Sequence, residues 1–415
     1  MRILIAPKNI IIGVIGLLIC LYGISPYSMT NNIYAQFAVT VITYIVLFCL
    51  FSQTLFKVLF KEKYVYVYVY PLFLLVCYFN KWTVLGEVVF SIINTTIPLV
   101  LLVMLENEER NWIHRINKAL LLYIAVICIF TLYMLRINPM ICRLLAQFQY
   151  WMNLNAFELF FTGGFDFIYS LVLLSGVFFH IARQIHGSKI IKLVFVICYL
   201  LSCICIVASI YTTALLLLCL QTLCIFYYSF KNKNRTQTIL FVVLTLLIIL
   251  VLLNIDTLFF LMQYLVSSDE VKLRLMDLSR LVSGETLVNG DVFGRAATYS
   301  YSINTWLDNF WFGVGYNEYN TLGSHGIGGH SELLDHLGYY GSIGTLFFVY
   351  ALVKTRNILM RYIREQDRYV YRIIFLMFII EYIMNPGYTA TFINTIFFII
   401  PVFFYNYNVL LLYYN

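Results

Sequence analysis

Apolar runs of roughly 17–25 residues recur along the chain, separated mostly by short polar breaks. The pattern predicts about twelve membrane-spanning helices, over residues 10–25, 33–56, 64–79, 83–105, 119–135, 167–182, 190–208, 210–229, 238–254, 333–353, 373–386 and 389–412. One run conflicts with the rest: Tyr64-Val65-Tyr66-Val67-Tyr68-Val69-Tyr70 alternates with period two, as a strand would. An open strand cannot satisfy its backbone in lipid, and tyrosines are common at membrane interfaces, so a helix is expected there too. The fold class is therefore an all-α membrane protein, a single polytopic domain over residues 1–415 with no internal repeat.

Two breaks are long. Residues 136–166 carry Trp151, Phe157, Phe160 and Phe161, an aromatic content that places the segment partly in the interface. Residues 255–331 have readable substructure. Ser267 to Glu270 has the Ser-x-x-Glu form of a capping box. Val271, Leu275, Leu278 and Val282 then mark an apolar face, Lys272, Arg274 and Arg280 lie on another, and Gly284 supplies a stop. A second helix is expected from Asp291 through Arg295, Tyr299, Ile303 and Trp306, followed by irregular backbone from Gly313 to Gly329. His330 and Ser331 stand at the mouth of the tenth span. The segment reads as a cap of amphipathic helices, where water, charge and backbone freedom meet.

Composition narrows the picture. With 62% hydrophobic and 11% charged residues, a soluble domain is excluded, because charged surface is what keeps such a chain in water. Of the 27 lysines and arginines, seven (Lys81, Arg136, Arg143, Lys272, Arg274, Arg280 and Arg295) fall on one side of the predicted spans and the remaining twenty on the other. This asymmetry puts both termini in the cytoplasm and residues 136–166 and 255–331 outside. The net charge of +7 is then an orientation signal and not a nucleic-acid footprint. Residues 10–24 lack a small-residue cleavage site and read as the first span. Nine of the ten cysteines lie in or at the ends of spans, where cysteine behaves as a small apolar residue; only Cys142 falls in an outer loop, so no disulfide framework is expected.

Candidate chemistry gathers in the long loop. His330 precedes a helix whose positive end disfavours imidazolium, and a neutral imidazole can accept a proton. The same helix end is suited to an anion such as phosphate. Arg295 lies in a Gly-, Ala- and Ser-rich stretch, and a guanidinium grips a diphosphate bidentately. Lys272, Arg274 and Arg280 carry the charge for the same task but read by default as a solvated face. His325, His330, Asp335 and His336 do not share one helical face, and the chain has no Asp-x-Asp pair, so no metal and no cofactor are expected. Glu87 and Glu381 fall inside predicted spans, where carboxylates are costly and often mark ion pathways. Gly313-x-Gly315 follows no strand and is no nucleotide fingerprint, and no Gly-x-Ser-x-Gly elbow occurs.

Taken in order, Gly294-Arg295, Trp306, Phe312-Gly313-Val314-Gly315, Gly329-His330-Ser331, Gly338 and Gly341 resemble the O-antigen ligase/polymerase family, the Wzy- and WaaL-like bacterial membrane glycosyltransferases. The motif-bearing stretch spans Gly294 to Gly344, and the many-span layout with one long late outer loop matches over the whole chain. The resemblance implies a GT-C-like bundle that takes glycans on undecaprenyl diphosphate and transfers them, without metal and with inversion, to another glycan or a surface acceptor. It implies membrane lipids, a flippase and a chain-length regulator as further partners. It places His330 at the acceptor hydroxyl, Arg295 on the leaving diphosphate, and Trp306, Gly313, Gly315 and Gly329 in the loop architecture. The chain departs from the family twice. Asn309-Phe310-Trp311 stands where many relatives have a proline before the glycine turn. Ser209-Ile210-Tyr211-Thr212-Thr213 lacks the arginine many relatives carry there, so a second cation must come from Arg143, Lys272, Arg274 or Arg280. A polysaccharide polymerase is the leading expectation and a ligase the runner-up. The rival of another class is a flippase or transporter, which predicts paired charges or Gly/Pro-broken helices at mid-membrane.

Overall fold

The computed structural model describes residues 33–106, 110–145, 155, 158, 161–185, 188–230, 291–316, 326–385 and 390–414. Predicted spans 10–25 and 238–254, most of residues 146–160, and residues 255–290 with Lys272, Arg274 and Arg280 lie outside them, as does His325. The described residues are helical, with no strand among them.

The helices, in chain order, are α1 (Ile33–Phe60), α2 (Val69–Phe79), α3 (Leu85–Glu106), α4 (Arg110–Ile137), α5 (Phe165–Gln184), α6 (Lys189–Ser209), α7 (Thr212–Phe230), α8 (Asp291–Asp308), α9 (Glu332–Leu359), α10 (Arg368–Met384), α11 (Ala390–Asn394) and α12 (Ile400–Tyr414). A π-helical stretch, Thr395–Ile399, joins α11 to α12. Among the described residues, six segments are long and apolar enough to cross a membrane: Thr40–Phe60, Leu85–Glu106, Ile113–Ile137, Phe165–Gln184, Lys189–Ser209 and Glu332–Tyr362.

Burial separates centre from periphery. In α3 and α5, 83% of the most apolar window is inside the protein, against 28% in α1 and α6. α6 shows why: Ile190, Leu193, Ile197, Leu200, Ile204 and Val207 are exposed at helical spacing, a stripe suited to lipid. α3 and α5 bury residues on every face, polar ones such as Asn94 and His180 included, as central helices do.

The Tyr64–Tyr70 stretch is indeed no strand, but neither is it a single α-helix: Glu62–Val67 forms a 3-10 turn that leads into α2. Nor are its tyrosines all interfacial. Tyr64 and Tyr70 are buried, because each hydroxyl has a distant polar partner: Glu106 and Tyr362 for Tyr64, His336 for Tyr70. Cys142 is likewise no open loop thiol. It is buried in the single helical turn Ile141–Leu144, and that burial pushes its thiol well above the usual range.

The two ends of the bundle differ. At one end Asp367 accepts bonds from Arg364 Nε and Nη2, both at 2.8 Å, and meets His180 Nε2 at 2.8 Å. There too Glu106 takes Lys57 at 3.1 Å and the hydroxyl of Tyr362 at 2.8 Å. At the other end lie α8, the Gly313 turn and His330.

Candidate functional site

The site is built on a break in a membrane helix. α9 loses its helical dihedrals at Gly341, with φ 62° and ψ −167°, a region only glycine enters readily. The break would orphan four backbone groups: the carbonyls of Gly338 and Tyr339 and the amides of Ser342 and Ile343. The turn after α8 takes up all four. Val314 N donates to Gly338 O (3.0 Å) and Gly315 N to Tyr339 O (2.8 Å), while Ser342 N donates to Phe310 O (2.8 Å) and Ile343 N to Trp311 O (3.1 Å). Irregular backbone at such a depth is tolerated only when paired in this way.

Gly313 and Gly315 have φ of 70° and 77°, and a Cβ on either would strike backbone, of residues 338–339 and of Trp82 respectively. Trp306 reinforces the joint, its Nε1 donating to Ser342 Oγ at 3.0 Å while its ring stacks on Phe310. Trp306, Gly313 and Gly315, read from the sequence as loop architecture, thus fasten α8 to α9.

A second joint holds His330. Ser302 on α8 donates to Asp335 Oδ1 (2.6 Å) and accepts from Gly328 N (2.9 Å). The same Asp335 carboxylate takes the amides of Gly329 and Ser331, both at 3.3 Å. Thr305 donates to Gly326 O. Gly329 has φ 68°, and Gly328 lies so tightly on Thr298 that no side chain fits. Ser331 caps α9, accepting from Leu334 N at 3.2 Å, and Glu332 N donates to Asn385 O at 3.1 Å. His330 stands at the apex of this fixed loop, and its side chain is exposed. No hydrogen bond of its ring occurs among the described residues.

This geometry corrects the electrostatic reading of the helix end. Glu332 and Asp335 lie in the first turn of α9, so the positive end of the dipole is already met by two carboxylates. The Gly329 and Ser331 amides are occupied by Asp335 and are not open to a phosphate. His330 is presented by backbone geometry rather than by the dipole.

The backbone of Arg295 lies near the start of α8, on the helix whose Thr298, Ser302 and Thr305 hold the His330 loop. Its side chain falls outside the described residues. Arg143 has a definite place: its Nη2 donates to Ile210 O at 2.7 Å and its guanidinium lies 4.8 Å from the centre of the Tyr211 ring. Ile210 takes a left-handed conformation with φ 55°, which ends α6 and turns its carbonyl toward Arg143. A cation therefore reaches the Ser209–Thr213 segment from a different part of the chain.

Two further groups take definite places: His336, weighed from the sequence only as a metal ligand, and Glu381, weighed there as a costly intramembrane carboxylate. His336 is buried between α2 and α9, its Nε2 2.6 Å from the Tyr70 hydroxyl and its Nδ1 3.2 Å from Glu332 Oε1. The Glu332–His336 spacing of four was legible; the Tyr70 partner was not. Nearby, burial together with the Glu87 and Glu332 carboxylates pushes the Tyr316 phenol above its usual range, so it stays a neutral donor. The other is Glu381, fully buried with neither carboxylate oxygen hydrogen-bonded among the described residues. No group of three His, Cys, Asp or Glu side chains is placed to hold a metal ion among the described residues. No protein-family model matches this chain and no curated protein matches it, so its function is argued from these residues and their geometry.

Proposed function

We propose that the protein is a polysaccharide polymerase that joins oligosaccharide repeat units carried on undecaprenyl diphosphate, at the outer face of the cytoplasmic membrane. The observation that carries the reading is the joint between α8 and α9. Of the family-like motif, Trp306, the turn at Gly313–Gly315, Gly329 and the helix break after Gly338 are drawn together by hydrogen bonds between α8, its turn and α9, beside the exposed His330. A transferase that works on large lipid-linked glycans needs such a fixed, open platform. A lipid diphosphate is an activated leaving group, so the protein must supply a base for the acceptor hydroxyl and positive charge for the departing diphosphate. The resemblance puts His330 and Arg295 at those places. Arg143, held at the segment where the family arginine is missing, supports a second cation. The full twelve-span layout, the cap and the cytoplasmic termini belong to the same proposal.

The test uses purified protein in detergent with undecaprenyl-diphosphate-linked repeat units. Wild type builds a ladder of polymer on a gel, and His330→Ala and Arg295→Ala each lose about 10²-fold or more in rate. Full activity in both variants would remove these residues from the reaction. Transfer only after a separate acceptor is added would make the protein a ligase.

Transport is the second reading, and two observations favour it. Glu381 is a buried intramembrane carboxylate without a hydrogen-bond partner among the described residues, and α9 is a glycine-broken helix. Sodium- or proton-dependent glycan movement in vesicles, with no polymer formed, would establish it.

A further inference from the structure

The side of α9 that meets α2 carries an acid–base array distinct from His330. The His336 ring is fixed by four contacts. Its Nε2 lies 2.6 Å from Tyr70 Oη, its Nδ1 lies 2.8 Å from the Glu332 carbonyl and 3.2 Å from Glu332 Oε1, and its face stacks on Phe348 at 4.2 Å. A carbonyl oxygen only accepts, so the proton sits on Nδ1, shared between the Glu332 carbonyl at 2.8 Å and its carboxylate at 3.2 Å, and in the neutral ring the Tyr70 hydroxyl donates to Nε2. Exposure rises along the chain of contacts: Tyr70 is 3% exposed, the His336 side chain 9% and the Glu332 side chain 17%. Only Glu332, two residues beyond His330 in the first turn of α9, has its carboxylate partly open.

A catalytic base is normally oriented by a further group. Glu332 has that support, and among the described residues the His330 ring does not. We propose that the Glu332 carboxylate is the base that takes the proton from the acceptor hydroxyl, with His336 and Tyr70 as its positioning residues. The inference rests on the glycosyl-transfer reading and moves one role within it. As the acceptor O–H bond breaks, its proton passes to Glu332 and the oxygen's electron pair forms the new bond to the anomeric carbon. The bond from that carbon to the diphosphate oxygen breaks, and its pair leaves with the lipid diphosphate, whose charge falls to Arg295 and His330.

The titratable groups facing this array are Glu87 from α3, Tyr316 from the glycine turn, Tyr70 from α2, and Asp335, Tyr339 and Tyr340 from α9 itself. An acid at a helix start also has a purely structural use, in complementing the dipole. That use predicts a lower melting temperature for Glu332→Gln and no change in how rate depends on pH.

The experiment measures transfer between lipid-linked repeat units as a function of pH, with kcat and donor KM separated. Glu332→Gln is expected to lose about 10²-fold or more in kcat, keep its donor KM, and lose the acidic limb of the pH profile. Glu332→Asp restores part of the rate and the limb. Tyr70→Phe folds around an unchanged ring and shifts the limb, which keeps the proposal testable should Glu332→Gln fail to fold. His330→Ala loses rate with the limb in place. The proposal is overturned if Glu332→Gln keeps its rate within about threefold, or if the limb disappears in His330→Ala and stays in the Glu332 and Tyr70 variants. If wild type leaves a substrate of proven competence unreacted, the glycosyl-transfer reading itself falls, and the base assignment with it.

Discussion

The two ends of the bundle use charge in opposite ways. Around Asp367 and Glu106, carboxylates bind His180, Arg364, Lys57 and Tyr362 at 2.8–3.1 Å, and the His180 and Lys57 contacts tie together segments far apart in the chain. At the α8 end the joints are made of backbone amides, glycines, Ser302 and Asp335, while His330 stands exposed and Glu381 lies buried without a hydrogen-bond partner among the described residues. One end pairs its carboxylates with cationic and hydroxyl side chains. The other holds its joints with backbone groups, hydroxyls and a single carboxylate, Asp335, and leaves the His330 side chain exposed.

The contrast can be broken experimentally. Asp367→Asn should be the costliest change, because it strands His180 and Arg364 beside a fully buried site; about 3–5 kcal/mol is expected, read as thermal unfolding in detergent. A loss under about 1 kcal/mol would mean that these pairs are not structural. Ser302→Ala comes next. It removes one hydroxyl that serves both Asp335 and Gly328, costing about 1–3 kcal/mol and loosening the His330 loop, which limited proteolysis between α8 and α9 would report. Glu381→Gln should change stability least, by less than about 1 kcal/mol in either direction, since no hydrogen bond is broken among the described residues. A large destabilisation there would show that Glu381 is a structural group like Asp367, and the comparison would collapse.

Much of the helix order was legible because lipid imposes length and all-round apolarity on each span. α8 was legible too, from Asp291 through Trp306, by its amphipathic spacing. The glycines after it announced irregular backbone but not its purpose. That Gly313 and Gly315 pair with a break at Gly341 depends on a contact across some 25 residues of chain, which neither stretch encodes alone. Hydroxyl partners were hidden for the same reason. Tyr70 reads as an interfacial aromatic until His336, 266 residues away, supplies a ring nitrogen. Arg143 was one of four interchangeable cations until the left-handed turn at Ile210 gave it a carbonyl to bind. His336 itself was weighed only as a metal ligand, although its i, i+4 relation to Glu332 was on the page.

The broken α9 also sets an order of events during synthesis. Released into lipid alone, it would carry two bare carbonyls and two bare amides near Gly341, each costing several kcal/mol. The segment that satisfies them, Phe310–Gly315, lies earlier in the chain and has been made before α9 enters the bilayer. The turn can therefore meet the helix as it arrives and act as an intramolecular chaperone for a span that could not stand in the membrane by itself. A protein whose loop was transplanted to a position after α9 would have to insert that helix unescorted.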